Sequence, residues 1–232
     1  MNYLFEGLKE ALRMISHLDR EMLSIVMVSL KVSSLSIMLA TLTGVPFGFF
    51  VAMKQFPGKR IVVVLLHTLL SLPTVVVGLL LYSFLSRRGP LGSLGLLYTP
   101  WAMVLGQWVL SFPIVSCLAL NATQSLDARA KKTAMILGAT NLQSASLLFF
   151  EARAGLAAAV IAGFGRVFGE IGVSMMLGGN IRAYTRNITT AIALETGKGE
   201  FALGLALGLV LLAVSFLLNI IFYYLRSKNI KA

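Results

Sequence analysis

Five long apolar stretches decide what this chain of 232 residues can fold into. Each one reaches the length of about 20 residues at which an α-helix crosses the hydrocarbon core of a bilayer. They cover residues 32–53, 61–86, 101–120, 156–177 and 201–225. Because lipid offers no hydrogen-bond partner to an open backbone, such stretches cross the membrane as helices. The sequence therefore predicts an all-α integral membrane protein with a five-helix transmembrane bundle.

The composition agrees with a membrane protein and excludes other classes. Apolar residues make up 57% of the chain and charged residues only 12%, whereas about a quarter of a soluble domain is charged. The net charge is +11, but the basic residues lie between apolar blocks and do not form one stripe for nucleic acid. Such a pattern is typical of loops beside a membrane. We expect membrane lipid, and no nucleic acid, as a partner.

Residues that could support catalysis or bind a metal are scarce. The single cysteine, Cys117, excludes an internal disulfide and cysteine-cluster metal sites. His17 and His67 have no second ligand at metal spacing, and we expect His67 to bond to a neighbouring helix. Residues 196–199 resemble a phosphate loop but lack its essential glycine and Ser/Thr positions. The sequence predicts no cofactor, no metal, no catalytic residues and no enzyme activity.

The remaining segments predict the domain organisation and the topology. Residues 1–28 contain an amphipathic helix, which either lies on the membrane surface or packs on the bundle. Residues 29–225 form the transmembrane domain, including a loop at 121–155, and residues 226–232 form a basic tail. A slight excess of Lys and Arg in the tail and in alternate loops indicates that these face the cytoplasm. The N-terminus is then outside and the C-terminus is cytoplasmic.

Small residues and prolines recur inside the apolar stretches. Glycines four apart allow close approach of two helices in lipid, and prolines bend helices. The fourth stretch is so rich in Gly and Ala that we expect protein to surround it, at the bundle centre or at a dimer interface. The glycine pairs are Gly44/Gly48, Gly165/Gly169 and Gly204/Gly208, and the prolines are Pro46, Pro73 and Pro113.

Two ionisable residues, Arg166 and Glu170, lie within the fourth apolar stretch. Their spacing of four makes them neighbours on one helix face. Each charge at mid-membrane costs about 2.5–3.5 kcal/mol, which pairing or contact with a water-filled cavity relieves. Two interpretations stay open: an ion pair that fixes helix packing, or the wall of a translocation path. In the second interpretation Gly178, Gly179 and Asn180 form a gate at the outer end.

The loop at 121–155 has the pattern of a docking element. Residues 127–137 predict a short helix with Ala130, Ala134 and Leu137 as its apolar face. Gly138 ends this helix, and residues 141–150 predict a second short helix. A helix–Gly–helix device beside the membrane is suited to binding a partner protein.

This loop and several other motifs resemble the membrane subunits of binding-protein-dependent ABC importers. The family signature E-A-A-x-x-x-G, followed by I-x-L-P, corresponds here to Lys132-Thr133-Ala134, Gly138, Leu148 and Phe150, with Glu151 in the proline position. Further motifs resemble the oxyanion branch of the family, closest to tungstate-uptake permeases and next to molybdate permeases. These motifs are residues 71–79, 88–92, 164–166, 170–172, 178–182 and 189–192.

The resemblance implies a function and a set of partners. It implies a permease in the inner membrane of a prokaryote that pairs with a second copy of itself and binds two ATP-binding subunits. An extracytoplasmic binding protein delivers an oxyanion, expected to be tungstate, with molybdate or sulfate as alternatives, and the two sides open alternately. The residues that correspond to the ATPase-coupling site are Lys132, Thr133, Ala134, Gly138 and Ala139.

Three other classes of protein remain as alternatives. In a secondary transporter or channel without an ATPase partner, Arg166 and Glu170 would relay ions. A membrane enzyme acting on lipid would need a catalytic constellation near an interface. An anchoring subunit would have no translocation path of its own.

Overall fold

A computed structural model describes residues 2–17 and 19–228. These residues form α-helices and one short 3₁₀ turn at Gly92–Leu94, and no strand occurs among them. The α-helices are α1 (Asn2–Ser16), α2 (Arg20–Met53), α3 (Lys59–Leu69), α4 (Thr74–Leu85), α5 (Pro100–Gln124), α6 (Ala128–Ile136), α7 (Asn141–Phe168), α8 (Gly172–Gly178), α9 (Ile188–Lys198) and α10 (Phe201–Lys228). The predicted all-α class is confirmed.

Four of these helices, α2, α5, α7 and α10, are long and apolar enough to cross a membrane. The helices α3 and α4 pass the same test only as a pair, which is bent by 102°. They provide a fifth candidate span if the pair crosses as one unit. One helix over 61–86, bent at Pro73, was predicted; the structure has the bend at this proline but two separate helices.

Pro73 explains the break between α3 and α4. A proline disfavours helical backbone in the residue before it and donates no hydrogen bond itself. The chain leaves the helix after Leu69 and resumes it at Thr74, with Pro73 in extended conformation at the N-cap. Pro46 and Pro113, in contrast, lie inside α2 and α5, as predicted.

Helices α2 and α5 form the centre of the bundle and run in the same direction. The hydroxyl of Ser36 donates to the carbonyl of Val104 at 3.2 Å near one end. Near the other end, a Cβ added to Gly48 would lie only 2.2 Å from the carbonyl oxygen of Ser116. Glycine is therefore required where the two backbones touch. The predicted packing role of the pair Gly44/Gly48 is confirmed.

The other two glycine pairs do not bring helices together within this chain. A Cβ added to Gly165, Gly169 or Gly208 would meet no heavy atom within 4 Å. At Gly204 such an atom would lie 3.5 Å from the hydroxyl of Thr196, which is an ordinary contact. Gly165 and Gly169 instead leave one face of α7 open.

The loop between α5 and α7 differs from its prediction in two respects. The short helix α6 is present, and Gly138 follows it with a φ of +87°. The predicted second short helix over 141–150 was wrong, because these residues are the first part of the 28-residue helix α7. A capping box between Thr140 and Gln143 starts α7. Of the predicted apolar face, Ala134 is buried whereas Leu137 is 82% exposed.

The structure also decides how helix α1 packs and what His67 contacts. The amphipathic helix α1 packs on the bundle, since Ala11 is fully buried and Met14 and Ile15 pack against residues of α2, α9 and α10. The Sγ atom of Cys117 lies 3.6 Å from both ring nitrogens of His67, so His67 contacts a neighbouring helix as predicted.

The bent pair can be tested by cysteine labelling. The native Cys117 is buried, so Ser16→Cys and Thr133→Cys each introduce one accessible thiol. If α3 and α4 cross the membrane together, three spans separate the two sites. An impermeant maleimide should then label Ser16→Cys in intact cells and Thr133→Cys only in opened cells. Labelling of both from the same side would show that the pair enters and leaves on one side.

Candidate functional site

The break between α7 and α8 is organised by the carboxylate of Glu170. This side chain is only 3% exposed. It accepts a hydrogen bond of 2.8 Å from Nη1 of Arg166 and another of 2.8 Å from the backbone N–H of Gly172. The N–H of Val173 adds a longer contact of 3.4 Å. The carboxylate therefore pairs with the arginine and, from the position before the N-cap Ile171, accepts from the first two N–H groups of α8. The predicted span 156–177 is interrupted here, between Phe168 and Gly172.

Arg166 is more exposed than Glu170, with which it forms the ion pair. Its side chain is 50% exposed, and it lies between the open positions Gly165 and Gly169. A guanidinium half exposed at this depth is unfavourable against lipid. This face of α7 must therefore adjoin water or more protein in the working molecule.

The break between α3 and α4 lies beside the break between α7 and α8. A Cβ added to Gly172 would lie 2.8 Å from Oγ1 of Thr74 and 3.0 Å from Cγ2 of Val75. Irregular backbone at membrane depth is tolerated only inside protein or along a water-filled cavity. Two broken spans and one ion pair thus meet at a single place.

Residues Gly178, Gly179 and Asn180 form a tight turn at the other end of α8. Gly179 and Asn180 have φ values of +68° and +52°. The carbonyl of Gly178 accepts from the hydroxyl of Thr185 at 2.5 Å. The ring of Tyr98 would lie 2.7 Å from a Cβ at Gly179. The predicted helix break at these glycines is therefore present, and the turn is held by side chains from two loops.

Gln107 connects α8 to the central pair of helices, and the sequence analysis missed it. Its side-chain amide is 1% exposed. It accepts from the hydroxyl of Ser33 at 3.2 Å and donates to the hydroxyl of Ser174 at 3.3 Å. A Cβ at Gly106 would lie 2.3 Å from a methyl carbon of Val173, so α5 and α8 approach closely. The sequence feature that could have indicated this role is an amide side chain inside an otherwise apolar span.

An ion-pair cluster, also missed, occupies the end of the bundle where α2 begins. Glu21 contacts Arg182 at 2.5 Å and Arg186 at 3.5 Å. Glu195 contacts Arg186 at 3.7 Å and Lys198 at 3.2 Å. Glu21 precedes Arg182 by 161 positions, and no local pattern could pair them.

The predicted coupling residues lie at the opposite end, around α6. Lys132, Thr133 and Gly138 are exposed, Ala134 is buried and Ala139 is partly exposed. Three large apolar side chains stand out beside them, with exposed fractions of 85%, 82% and 81% for Ile136, Leu137 and Leu142. The structure does not bring these residues near Arg166, since α7 separates the two groups by about 38 Å. Exposed apolar side chains of this kind contact membrane lipid or a partner protein. We call these three side chains the docking tip, after the partner contact that the sequence predicts.

The residues described contain no group of three His, Cys, Asp or Glu side chains that could hold a metal ion. What they provide is a helical membrane bundle with broken spans at one polar place and an exposed docking tip. This arrangement defines the membrane subunit of a transporter. Residues 44–231 match the family model described as the binding-protein-dependent transport system inner membrane component, and the chain belongs to this family.

Individual relatives cover nearly the whole chain. It is 43% identical over 229 residues to the tungstate uptake system permease protein TupB of Campylobacter jejuni, covering 97% of this chain and 95% of the relative. The TupB protein of Peptoclostridium acidaminophilum is 37% identical over 228 residues, with 98% and 100% coverage. The molybdenum transport system permease protein ModB of Escherichia coli K12 is 32% identical over 189 residues, with 75% and 81% coverage.

A solved structure shares the fold. It is titled as inward-facing conformations of the MetNI methionine ABC transporter. The TM-score is 0.71 at 17% sequence identity, and the match covers 88% of this chain and 96% of the other. The relatives are transport permeases, which agrees with the prediction of a non-enzyme.

The capping role of Glu170 can be measured through stability. Glu170→Ala removes the acceptor for the N–H of Gly172 and leaves Arg166 unpaired, which should destabilise the fold by about 1–3 kcal/mol. Glu170→Gln keeps an acceptor oxygen and should lose less. Thermal unfolding of the purified protein in one detergent compares the variants. An alanine variant as stable as the unsubstituted protein would contradict this role.

Proposed function

We propose that this chain is the membrane-spanning subunit of an ATP-driven importer for tungstate. The observation that carries the proposal is the near full-length similarity to two tungstate uptake permeases. Molybdate and sulfate are the competing substrates, because permeases named for them match at lower identity, 32% and 28%. A soluble binding protein delivers the anion, and a partner subunit hydrolyses ATP.

The path of the anion passes the place where the broken spans meet. Arg166 supplies hydrogen-bond donors at membrane depth, and Glu170 offsets its charge through the 2.8 Å ion pair. A nearly neutral polar wall suits transport, because an anion that bound tightly midway would leave slowly. Gly178, Gly179 and Asn180 border the path as an outer gate, where the turn depends on left-handed backbone.

A second copy of the chain covers the open face of α7. Ala162, Gly165 and Gly169 are exposed on this face together with Arg166. Small residues four apart allow a second helix to approach in lipid, and the guanidinium needs protein or water beside it. A homodimer with the path between its two copies meets both requirements.

The ATPase binds at the loop between α5 and α7. Its contact consists of Lys132, Thr133, Ala134, Gly138 and Ala139, next to the exposed apolar tip. Because α7 begins within this loop and continues unbroken to Phe168, it forms one rod of about 42 Å. Movement of the loop therefore reaches Arg166 without an intervening hinge, and the two sides of the path open alternately.

Reconstitution tests the function directly. The chain is placed in liposomes with its ATPase and binding protein, and tungstate uptake is measured with and without ATP. We expect uptake that requires ATP and is stimulated by the loaded binding protein, with molybdate and sulfate competing less well. Uptake driven by the chain alone would instead support a secondary transporter or channel.

Gly138→Val tests the coupling loop. Gly138 has a φ of +87°, which a β-branched residue does not adopt without strain. We expect normal membrane insertion but loss of most ATP-driven transport, measured as the ratio of anions moved to ATP hydrolysed. Gly58→Val is the matched control, because Gly58 has the same φ of +87° and also has no atom within 4 Å of an added Cβ. Unchanged assembly and transport in Gly138→Val would contradict a role of this loop in coupling.

A double-mutant cycle tests the path. Arg166→Ala, Glu170→Ala and the double variant are compared in the reconstituted transporter, with folded protein measured by size-exclusion chromatography. If the pair lines the path, the transport rates should couple strongly, by about 0.5–3 kcal/mol. Coupling in thermal stability alone, with normal transport by the protein that survives, would assign the pair to helix packing.

A further inference from the structure

One carboxylate bridges two arginines at the end of the bundle opposite α6. Oε2 of Glu21 lies 2.5 Å from Nη2 of Arg182, and Oε1 lies 3.5 Å from Nη1 of Arg186. Glu21 is in the first turn of α2, and both arginines are in the turn between α8 and α9. The far end of α2 is about 48 Å away. These groups therefore stand at the end of the molecule remote from the docking tip.

The two arginines differ in exposure and in their hydrogen-bond partners. The side chain of Arg182 is 71% exposed, while that of Arg186 is 11% exposed. Glu195 holds Arg186 from the other side at 3.7 Å. The Nε atom of Arg186 is buried and has no hydrogen-bond partner among the described residues. Arg186 is thus a largely buried donor held by two carboxylates, and Arg182 is an exposed donor beside it.

The charges of the cluster favour an anion. Three cations, Arg182, Arg186 and Lys198, meet two carboxylates, those of Glu21 and Glu195. Within these ion pairs the cations exceed the carboxylates by one, and the carboxylate of Asp19, which accepts from the N–H of Glu21, is the nearest further negative charge. Guanidinium groups bind oxyanions through paired N–H donors. A divalent tetrahedral oxyanion carries more charge and more acceptor oxygens than the carboxylate that now joins the two arginines.

We propose that Arg182 and Arg186 form the site at which the oxyanion first binds the permease, by displacing the carboxylate of Glu21. Glu21 occupies the site in the absence of the anion, and its exposed fraction of 28% leaves it room to turn into solvent. This inference rests on the proposed function in that it takes an oxyanion as the transported substrate. It adds a binding site in the permease itself.

Displacement of Glu21 also has a structural consequence. The two ion pairs attach the turn between α8 and α9 to the start of α2. This turn contains Asn180 and Ala183, both in left-handed backbone with φ values of +52° and +60°. Non-glycine residues remain in this region only when their surroundings hold them there. An anion that takes over both arginines removes these two attachments of the turn to α2, next to Gly178 and Gly179, while the N–H of Ile188 still donates to the hydroxyl of Ser29 in α2 at 2.7 Å.

Titration of the purified chain with sodium tungstate tests the site at fixed ionic strength. Glu21→Gln removes the competing carboxylate and should lower the Kd for tungstate about threefold. Arg182→Ala removes a charge-assisted contact and should raise the Kd about tenfold. Both side chains are partly or largely exposed, so the variants should fold. Isothermal titration calorimetry gives the Kd, and molybdate and sulfate are titrated in parallel.

Two control variants distinguish binding at the two arginines from a general effect of surface charge on tungstate affinity. Glu200→Gln and Arg88→Ala change the charge by the same amounts, at exposed residues of the same end of the bundle. Their Kd values should stay within about twofold of that of the unsubstituted chain. The inference is overturned if Glu21→Gln binds no more tightly, if Arg88→Ala weakens binding as much as Arg182→Ala, or if the unsubstituted chain binds no tungstate.

The reconstituted transporter distinguishes failure of this inference from failure of the proposed function. If the unsubstituted complex moves tungstate while Glu21→Gln and Arg182→Ala leave binding unchanged, only the inference fails. If the unsubstituted complex moves no tungstate, the proposed function fails, and the titration still decides whether the two arginines bind an oxyanion.

Discussion

The hydrogen bonds of the Glu170 carboxylate are the interaction on which the polar region of this membrane protein depends. A carboxylate at membrane depth survives only if its oxygens are occupied, and here an arginine and backbone N–H groups occupy them. The same bonds end α7, start α8 and set the direction in which α8 leaves. The neighbouring span is broken beside it at Pro73, so an electrostatic requirement and a proline together shape this part of the bundle.

The stretches that cross the membrane could be predicted because hydropathy sums over many residues and tolerates local exceptions. The pairing of Arg166 with Glu170 could also be predicted, because their spacing fixes it within one helical turn. The end of α6 at Gly138 could be predicted as well, because glycine commonly follows the C-terminus of a helix in left-handed backbone. In each case the physical cause lies within a few positions of the residue concerned.

The broken spans and the long-range contacts could not be predicted in this way. Pro73 lies in a block as apolar as its neighbours, so the sequence indicates a bend there but gives neither its angle of 102° nor the close approach of Thr74 and Val75 to Gly172. The bonds of Gln107 to α2 and α8 depend on which helices become neighbours. The same is true of the contact between Glu21 and Arg182. Such pairings come from the fold as a whole.

The unbroken course of α7 has a consequence for the length of the chain. A residue inserted between Leu142 and Arg166 would advance everything beyond it by about 1.5 Å and rotate it by about 100°. The docking tip and the guanidinium would then point in directions that no longer correspond. If the loop drives the path through α7 as proposed, the helical phase between its two ends constrains the length of α7 as strictly as its packing does.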